Sequence, residues 1–312
     1  MAPLTPKNRW EFAADALWLE RSISGVPLGY TSYNYSSPVY PTEPAPVLGL
    51  YSNDRPFSLQ TGVRLRVNAE LDDQRSFEGI FWGLQHWSVS DFIYADPQYN
   101  SVLANSPWLQ MPSLINGMNE YLGYTYTSAV NNAEINQQIE WQPQRYSVSY
   151  MKTSWLWGPR YLHLSEDLAL NGSDLEYGYA ERLESRTTND LIGLQTGLRF
   201  TRDWDRFQLI TEGKVGLFAN TYTQRGSDSS EGADRPADFA AYTLSHSGTD
   251  LSALVELSIL ARLRLGQSLW MRLGYQFYFV SGMATAPRQM DGFDHNASVL
   301  LDGLSLGLEA TW

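Results

Sequence analysis

Residues 57–71, FSLQTGVRLRVNAEL, alternate between apolar side chains at odd positions and polar or glycine residues at even positions. The even positions include the charged residues Arg64, Arg66 and Glu70. A β-strand places successive side chains on opposite faces, so the stretch predicts a strand with one apolar and one charged face. Strands of soluble sheets usually have about five or six residues, whereas a tilted membrane-crossing strand needs about 9–11. The length therefore favours a strand that crosses a membrane.

The same period-two pattern recurs along the whole chain, although it is weaker in three central segments. The predicted strands lie in residues 10–18, 57–71, 76–89, 121–141, 145–168, 175–201, 207–219, 251–263, 269–279 and 304–312. The pair Gly158-Pro159 predicts a bulge or the membrane rim inside the fifth of them. About ten strands follow, with eight and twelve as the alternatives.

The connections between these strands alternate between short and long. Short polar turns are predicted at residues 72–75, 142–144, 202–205 and 265–267, and Pro-, Gly- and Ser-rich loops at 22–56, 90–120, 222–250 and 282–296. The remaining turn, at Asn171-Gly172, is short but follows strands long enough to project beyond a bilayer. Outer-membrane barrels have an even strand number, short periplasmic turns and longer extracellular loops. The sequence therefore predicts an all-β fold, a single antiparallel transmembrane β-barrel over residues 1–312, with both termini periplasmic.

The composition excludes several other classes of protein. Aromatic residues make up 13% of the chain and charged residues 18%, with no run of eighteen apolar residues, so a bundle of transmembrane helices is excluded. The net charge of −12 argues against nucleic acid as a partner. The absence of cysteine excludes disulfides, thiol nucleophiles and Cys-ligated metals.

The two ends of the chain bear on export and assembly. Alternate residues of the final segment end on the aromatic Trp312, which resembles the assembly signal that the barrel-assembly machinery recognises in outer-membrane proteins. Residues 1–6, MAPLTP, lack the basic and apolar regions of a signal peptide. We therefore expect a mature or recombinant form of a bacterial outer-membrane protein, whose partners include outer-membrane lipid and lipopolysaccharide.

Local motifs in a fixed order are similar to those of one family. They are Asn132–Asn136, Arg160–Leu162, Asn189–Gly197, the turn around Trp204, Gly216 with Asn220, Gly274–Gln276 and Gly282–Gln289. Together they resemble the beta-barrel porin family of the planctomycete outer membrane, over most of the chain and most closely from Asn132 to the end. The resemblance implies an outer-membrane barrel that acts as a porin, and it supplies no catalytic residue.

Charged residues on the polar faces are the candidates for lining the lumen. They are Glu11, Asp15, Arg64, Arg66, Glu70, Glu134, Glu140, Arg199, Glu212, Lys214, Glu256, Arg262, Arg272 and Glu309. About eight strands give an interior filled by side chains, and sixteen to eighteen leave an aqueous channel. Buried charges must be paired or solvated.

Two functions stay open at this point. One is a porin-like passive channel for small solutes or ions, narrowed by the loop 90–120 with Trp108, Leu109 and Met111. The alternative is a closed structural or interaction barrel, plugged by ion pairs, whose long loops bind a surface protein or a second copy.

An enzymatic function is not expected. Asp291, Asp294 and His295 in one loop, and His246 and Asp250 in another, do not reproduce the paired acids of ten-stranded outer-membrane proteases. The triplet Ser245-His246-Ser247 lies in a predicted low-complexity loop and not at a defined strand position. The acidic loop 228–234 lacks EF-hand spacing, so we predict neither a cofactor nor a metal.

Overall fold

The computed structural model describes residues 10–22, 27–32, 49–53, 55–72, 74–94, 101–104, 121–141, 144–146, 149–174, 179–231, 242–291 and 294–312. The strands in these ranges are β1 (Trp10–Arg21), β2 (Pro27–Ser32), β3 (Gly49–Tyr51), β4 (Gln60–Glu70), β5 (Arg75–Tyr94), β6 (Ser101–Ala104), β7 (Tyr121–Glu140), β8 (Gln144–Tyr146), β9 (Ser149–Asp174), β10 (Tyr179–Trp204), β11 (Phe207–Glu231), β12 (Tyr242–Arg264), β13 (Leu269–Met283) and β14 (Ala297–Thr311). A short 3-10 helix spans Pro287–Asp291. No helix in these ranges is long and apolar enough to cross a membrane.

Ten of the strands form one closed antiparallel barrel. Their order around the ring is β1, β4, β5, β7, β9, β10, β11, β12, β13 and β14. The ring closes where β14 pairs with β1, and there Trp10 and Trp312 exchange two backbone hydrogen bonds of 3.0 Å. The predicted all-β fold with ten strands is confirmed. Closure matters because an open sheet edge in hydrocarbon would leave its backbone groups unpaired.

An apolar belt surrounds the barrel on the outside. On β10 the outward side chain of Asp190 is polar, and the next outward position is already apolar. The apolar outward residues there are Ile192, Leu194, Leu198 and Phe200. Such residues stay exposed, Leu194 at 66% for example, while most of the charged side chains on the opposite face of the sheet are buried. Apolar side chains outside and polar ones inside are the arrangement of a transmembrane barrel.

The strands on one side of the barrel are about twice as long as those on the other. β9 and β10 have 26 residues each, whereas β1 and β4 have 12 and 11. The surplus extends beyond the belt as a protruding sheet, which we call the wall: residues 163–174 of β9, 180–190 of β10, 221–231 of β11 and 242–250 of β12. We call the opposite end, where the tight turns lie, the short-turn end.

The predicted loop at residues 222–250 is therefore wrong over most of its length. Strands β11 and β12 continue to Glu231 and from Tyr242, and the triplet Ser245-His246-Ser247 belongs to β12. Outside the membrane the outward side chains are serine and threonine instead of leucine, so the apolar alternation stops although the strand does not. Part of the acidic loop, residues 228–231, also belongs to β11.

Other details of the structure also bear on the predictions made from the sequence. Gly158 and Pro159 lie within a continuous pairing of β9 with β10, and not in a bulge on that side. The ladder is interrupted on the β7 side, between Arg160 and Trp157, as expected where proline supplies no backbone N–H. Residues 101–104 and 27–32 pair in a small separate sheet with β3. Trp108, Leu109 and Met111 lie outside the described residues.

A charge placed in the apolar belt should destabilise the barrel. We expect Leu257→Arg, at an outward position of the belt on β12, to lower the free energy of unfolding by about 2–4 kcal/mol. Thr243→Arg is the matched control, because Thr243 points outward from the same strand in the wall. Urea unfolding from lipid vesicles measures both, and equal stabilities would contradict the assignment of the belt.

Candidate functional site

The interior changes in character along the barrel axis. At the short-turn end it holds a cavity of about 1000 Å³, which we call the vestibule. Its walls are mostly polar and include Glu11, Glu70, Glu140 and Arg66, with Trp312 at the rim. Glu140 forms an ion pair with Lys152, with 3.0 Å between the carboxylate oxygen and Nζ. The vestibule is thus the roomy, water-compatible part of the interior.

Beyond the vestibule, carboxylates and guanidinium groups fill the cross-section. Asp15 of β1 is 2.7 Å from Arg64 and 3.0 Å from Arg272. Glu309 of β14 pairs with Arg272 and Arg262, and lies 3.6 Å from Arg66. These contacts bind five neighbouring strands together on one side of the lumen.

A second set of ion pairs reaches across the lumen. Arg199 of β10 contacts Glu78 of β5 at 2.8 Å and Glu212 of β11 at 2.6 Å. Glu78 also pairs with Arg66, which joins this set to the first one. In the ring order β5 and β10 are three strands apart, so Arg199 spans a large part of the barrel cross-section.

Lys214 of β11 is the centre of the network. Its Nζ lies 2.9 Å from Glu212, 3.0 Å from Glu134 and 3.3 Å from Glu256. Arg160 closes the group, because its guanidinium contacts Glu256 at 2.5 Å and Glu134 at 3.9 Å. Four strands, β7, β9, β11 and β12, meet in this cluster.

The charges of the network balance. Within this network of described side chains the cations are Arg64, Arg66, Arg160, Arg199, Lys214, Arg262 and Arg272, and the anions are Glu11, Asp15, Glu78, Glu134, Glu212, Glu256 and Glu309. A void of only about 50 Å³ lies among these side chains. A space of this size holds one or two waters, so the charges neutralise one another largely without solvent.

Towards the wall end the interior becomes apolar, and we call this region the plug. Trp82, Trp87, Tyr126 and Phe57 are at most 1% exposed and belong to one hydrophobic cluster. Leu28 and Leu50 of the small sheet join the same cluster. The plug is an aromatic core above the ion pairs.

The plug also buries one separate ion pair. Arg21 of β1 pairs with Glu166 of β9 and donates a hydrogen bond of 3.1 Å to the Tyr126 hydroxyl. Its guanidinium also lies 5.4 Å from the centroid of the Phe57 ring. The pair connects strands four positions apart in the ring, so it crosses the lumen within the plug.

The connection from β13 to β14 is fixed inside the mouth of the barrel. The backbone N–H of Ala286 donates to Glu166 at 2.7 Å, and the side chain of Asn189 bonds both the N–H and the C=O of Ala284. Ser185 donates to the Ala286 carbonyl at 2.9 Å. The predicted long loop 282–296 is thus a buried hook in its first half.

The structure places the sequence-predicted lumen residues on the inner face, with Glu70 and Glu140 in the vestibule and the others in the network. Sequence reasoning missed Glu78, Arg160, Arg21 and Glu166. Glu78 and Arg160 lie in segments of weak alternation. Glu78 is an even number of positions from the buried Trp82 on β5, and Arg160 is an even number from the buried Leu162 on β9, and only this spacing shows that they point inward. Arg21 and Glu166 lie beyond the predicted end of β1 and in the noisier fifth segment.

Acid–base residues meet at the mouth of the barrel, beside the hook. His295 Nε2 lies 3.1 Å from Asp250, and the Tyr222 ring stacks on His295 at 5.3 Å between centroids. Burial raises the pKa of Asp294, but hydrogen bonds from Arg288 and a backbone N–H outweigh it, and the pKa lies below its ordinary value. Within the described ranges, no group of three or more His, Asp and Glu side chains could hold a metal ion.

Comparisons with known proteins add little. No family model matches the chain, and no curated protein matches it either, so the resemblance to the planctomycete family stays a prediction. Similar solved structures include the outer membrane protease OmpT from Escherichia coli, with 10% identity over 99% of this chain and 98% of that chain, at a TM-score of 0.42. A Pseudomonas aeruginosa FadL homologue has 7% identity over 98% of this chain and 90% of that chain, at a TM-score of 0.28. The translocator domain of autotransporter NalP from Neisseria meningitidis has 6% identity over 99% of this chain and 90% of that chain, at a TM-score of 0.27. The fold described above therefore rests on this chain's own strand pairing and burial.

Removing the central cation should destabilise the barrel strongly. We expect Lys214→Met to lower the free energy of unfolding by about 3–5 kcal/mol, because three buried carboxylates lose their shared partner. Lys152→Met is the matched control, since Lys152 also pairs with a glutamate but its side chain is 40% exposed, and we expect a loss below about 1 kcal/mol. Urea unfolding in detergent compares the two variants, and losses of equal size would contradict the buried network.

Proposed function

We propose that this chain is an outer-membrane barrel with a closed lumen, which anchors the wall at the cell surface. In this proposal the short-turn end faces the periplasm and the wall faces the exterior, as in bacterial barrels with short periplasmic turns. The barrel then serves as a rigid support, and binding takes place on the parts that project from the membrane. Trp312 stands beside the closing strand pair, where an assembly signal read by the barrel-assembly machinery would lie.

The observation that carries this proposal is the filled middle of the barrel. Lys214 and Arg199 contact carboxylates on strands across the lumen, and the void that Arg199, Glu134 and Glu256 help to line measures only about 50 Å³. A hydrated ion or a small sugar needs a continuous path, whereas a void of this volume holds only one or two waters. The aromatic plug and the hook lie in series with the ion pairs and support the same function.

A porin-like channel is the second candidate, and the vestibule is the observation that favours it. A cavity of about 1000 Å³ with charges of both signs is a suitable entrance for small polar solutes. The resemblance to a porin family favours the same function. For conduction, however, the network and the plug would both have to rearrange.

Conductance in planar bilayers separates the two functions. We expect purified protein, its folded state checked by a heat-dependent shift on a gel, to give no steady current across a range of voltage and salt. The reason is that two seals, one ionic and one aromatic, lie in series. Steady single-channel steps from the wild type would contradict the closed barrel, and a change of ion selectivity in Arg64→Gln, Arg66→Gln and Arg272→Gln variants would then locate the path.

A further inference from the structure

The outer face of the wall carries hydroxyl groups in place of the leucines of the belt. Its outward side chains on β9 to β12 include Ser165, Thr188, Thr221, Thr223, Ser227, Ser229, Thr243, Ser245, Ser247 and Thr249. Thr221 and Thr249 lie 3.4 Å apart across the β11–β12 pair. The wall thus presents a hydroxyl-rich surface beyond the belt, and sugars are ligands that such a surface can bind through many weak hydrogen bonds.

One cross-strand row of this surface is charged. Asp167 of β9 faces Arg186 of β10, which in turn faces Arg225 of β11. Arg186 pairs with Asp167 at 2.7 Å and with Glu184 at 3.3 Å, whereas Arg225 makes no ion pair with any described residue. Like charges directly opposite each other destabilise an antiparallel pair. Arg186 already has two carboxylate partners, so the charge that an added anion would compensate is chiefly that of Arg225, with Arg186 facing it across the strand pair.

The height of the row above the belt restricts what the anion can belong to. Arg186 lies six positions before Ile192, the belt residue of β10 nearest the wall, and six positions are about 20 Å along a strand. With a strand tilt of about 40°, the arginines stand about 15 Å above the hydrocarbon. An ordinary phospholipid headgroup layer is only about 5–7 Å thick. A phosphate at this height must belong to a longer, glycosylated headgroup or be free in solution.

We propose that Arg186 and Arg225 bind a phosphate or carboxylate group on the sugar headgroup of an outer-leaflet glycolipid, and that the surrounding serines and threonines contact its sugars. The orientation rests on the proposed function, because it places the wall outside the cell. The binding surface itself does not depend on whether the lumen is closed, so a channel activity would leave this proposal standing. The planar guanidinium groups suit paired hydrogen bonds to such anions.

Binding to purified barrel in detergent tests the proposal with four probes. The probes are lipopolysaccharide with a phosphorylated inner core, the same molecule dephosphorylated, lipid A without core, and inorganic phosphate. We expect the first to bind most tightly, and Arg225→Gln and Arg186→Gln each to weaken it about threefold to tenfold. Arg206→Gln is the matched control, because Arg206 is an exposed arginine in a turn at the opposite end, and it should leave binding unchanged.

Two results would overturn the proposal. One is equal binding of core-bearing lipopolysaccharide by the wild type, Arg225→Gln and Arg186→Gln. The other is binding of inorganic phosphate that depends on Arg225 without any preference for the core-bearing glycolipid, which would make the source a free anion.

A charge reversal gives a second readout that a merely structural role would not produce. Arg225→Glu replaces the repulsion with Arg186 by an attraction across the same strand pair. We expect this variant to melt at a higher temperature than the wild type in glycolipid-free detergent, and to bind phosphorylated lipopolysaccharide more weakly. Loss of stability without lipopolysaccharide would show that Arg225 already has a structural partner and would contradict the anion site.

Discussion

Charges in the middle of the barrel have to be neutralised by one another, because the space there is too small for the water that would otherwise solvate them. Lys214 illustrates the constraint, since its side chain is 1% exposed and lies among three carboxylates, Glu134 of β7, Glu212 of its own strand β11 and Glu256 of β12. Each partner holds its strand at a fixed height. The register of the ten strands and the proposed closure of the lumen therefore depend on the same contacts.

The asymmetry of the strands separates two tasks within one sheet. Short strands such as β1 and β4 end near the edge of the belt, and long ones such as β9 and β10 continue beyond it. The long strands keep their pairing outside the membrane, where the outward side chains become polar and the inner ones pack in the plug. A rigid membrane anchor and a projecting surface are thus parts of the same strands.

Much of the fold could be predicted from the sequence, because burial inside and lipid outside impose period-two alternation within the membrane. Residues 57–71 show this clearly, and the ten strands were all placed by it. The wall was missed at residues 222–250, since serine and threonine on the outer face leave no apolar signal. The lumen charges could be predicted as a set, but not their pairing: Lys214 and Glu134 are 80 residues apart in sequence, and only the closed ring brings them together.

The central claim is that the lumen is closed between the vestibule and the wall, and single cysteines introduced at three depths test it most directly, since the chain has no cysteine of its own. Ser76 lines the vestibule, Ser258 lines the small void and Ser128 is buried at the level of the plug. A membrane-impermeant maleimide should label Ser76→Cys from the periplasmic side alone, and should label Ser258→Cys and Ser128→Cys from neither side. Labelling of Ser258→Cys from the extracellular side would contradict a closed barrel.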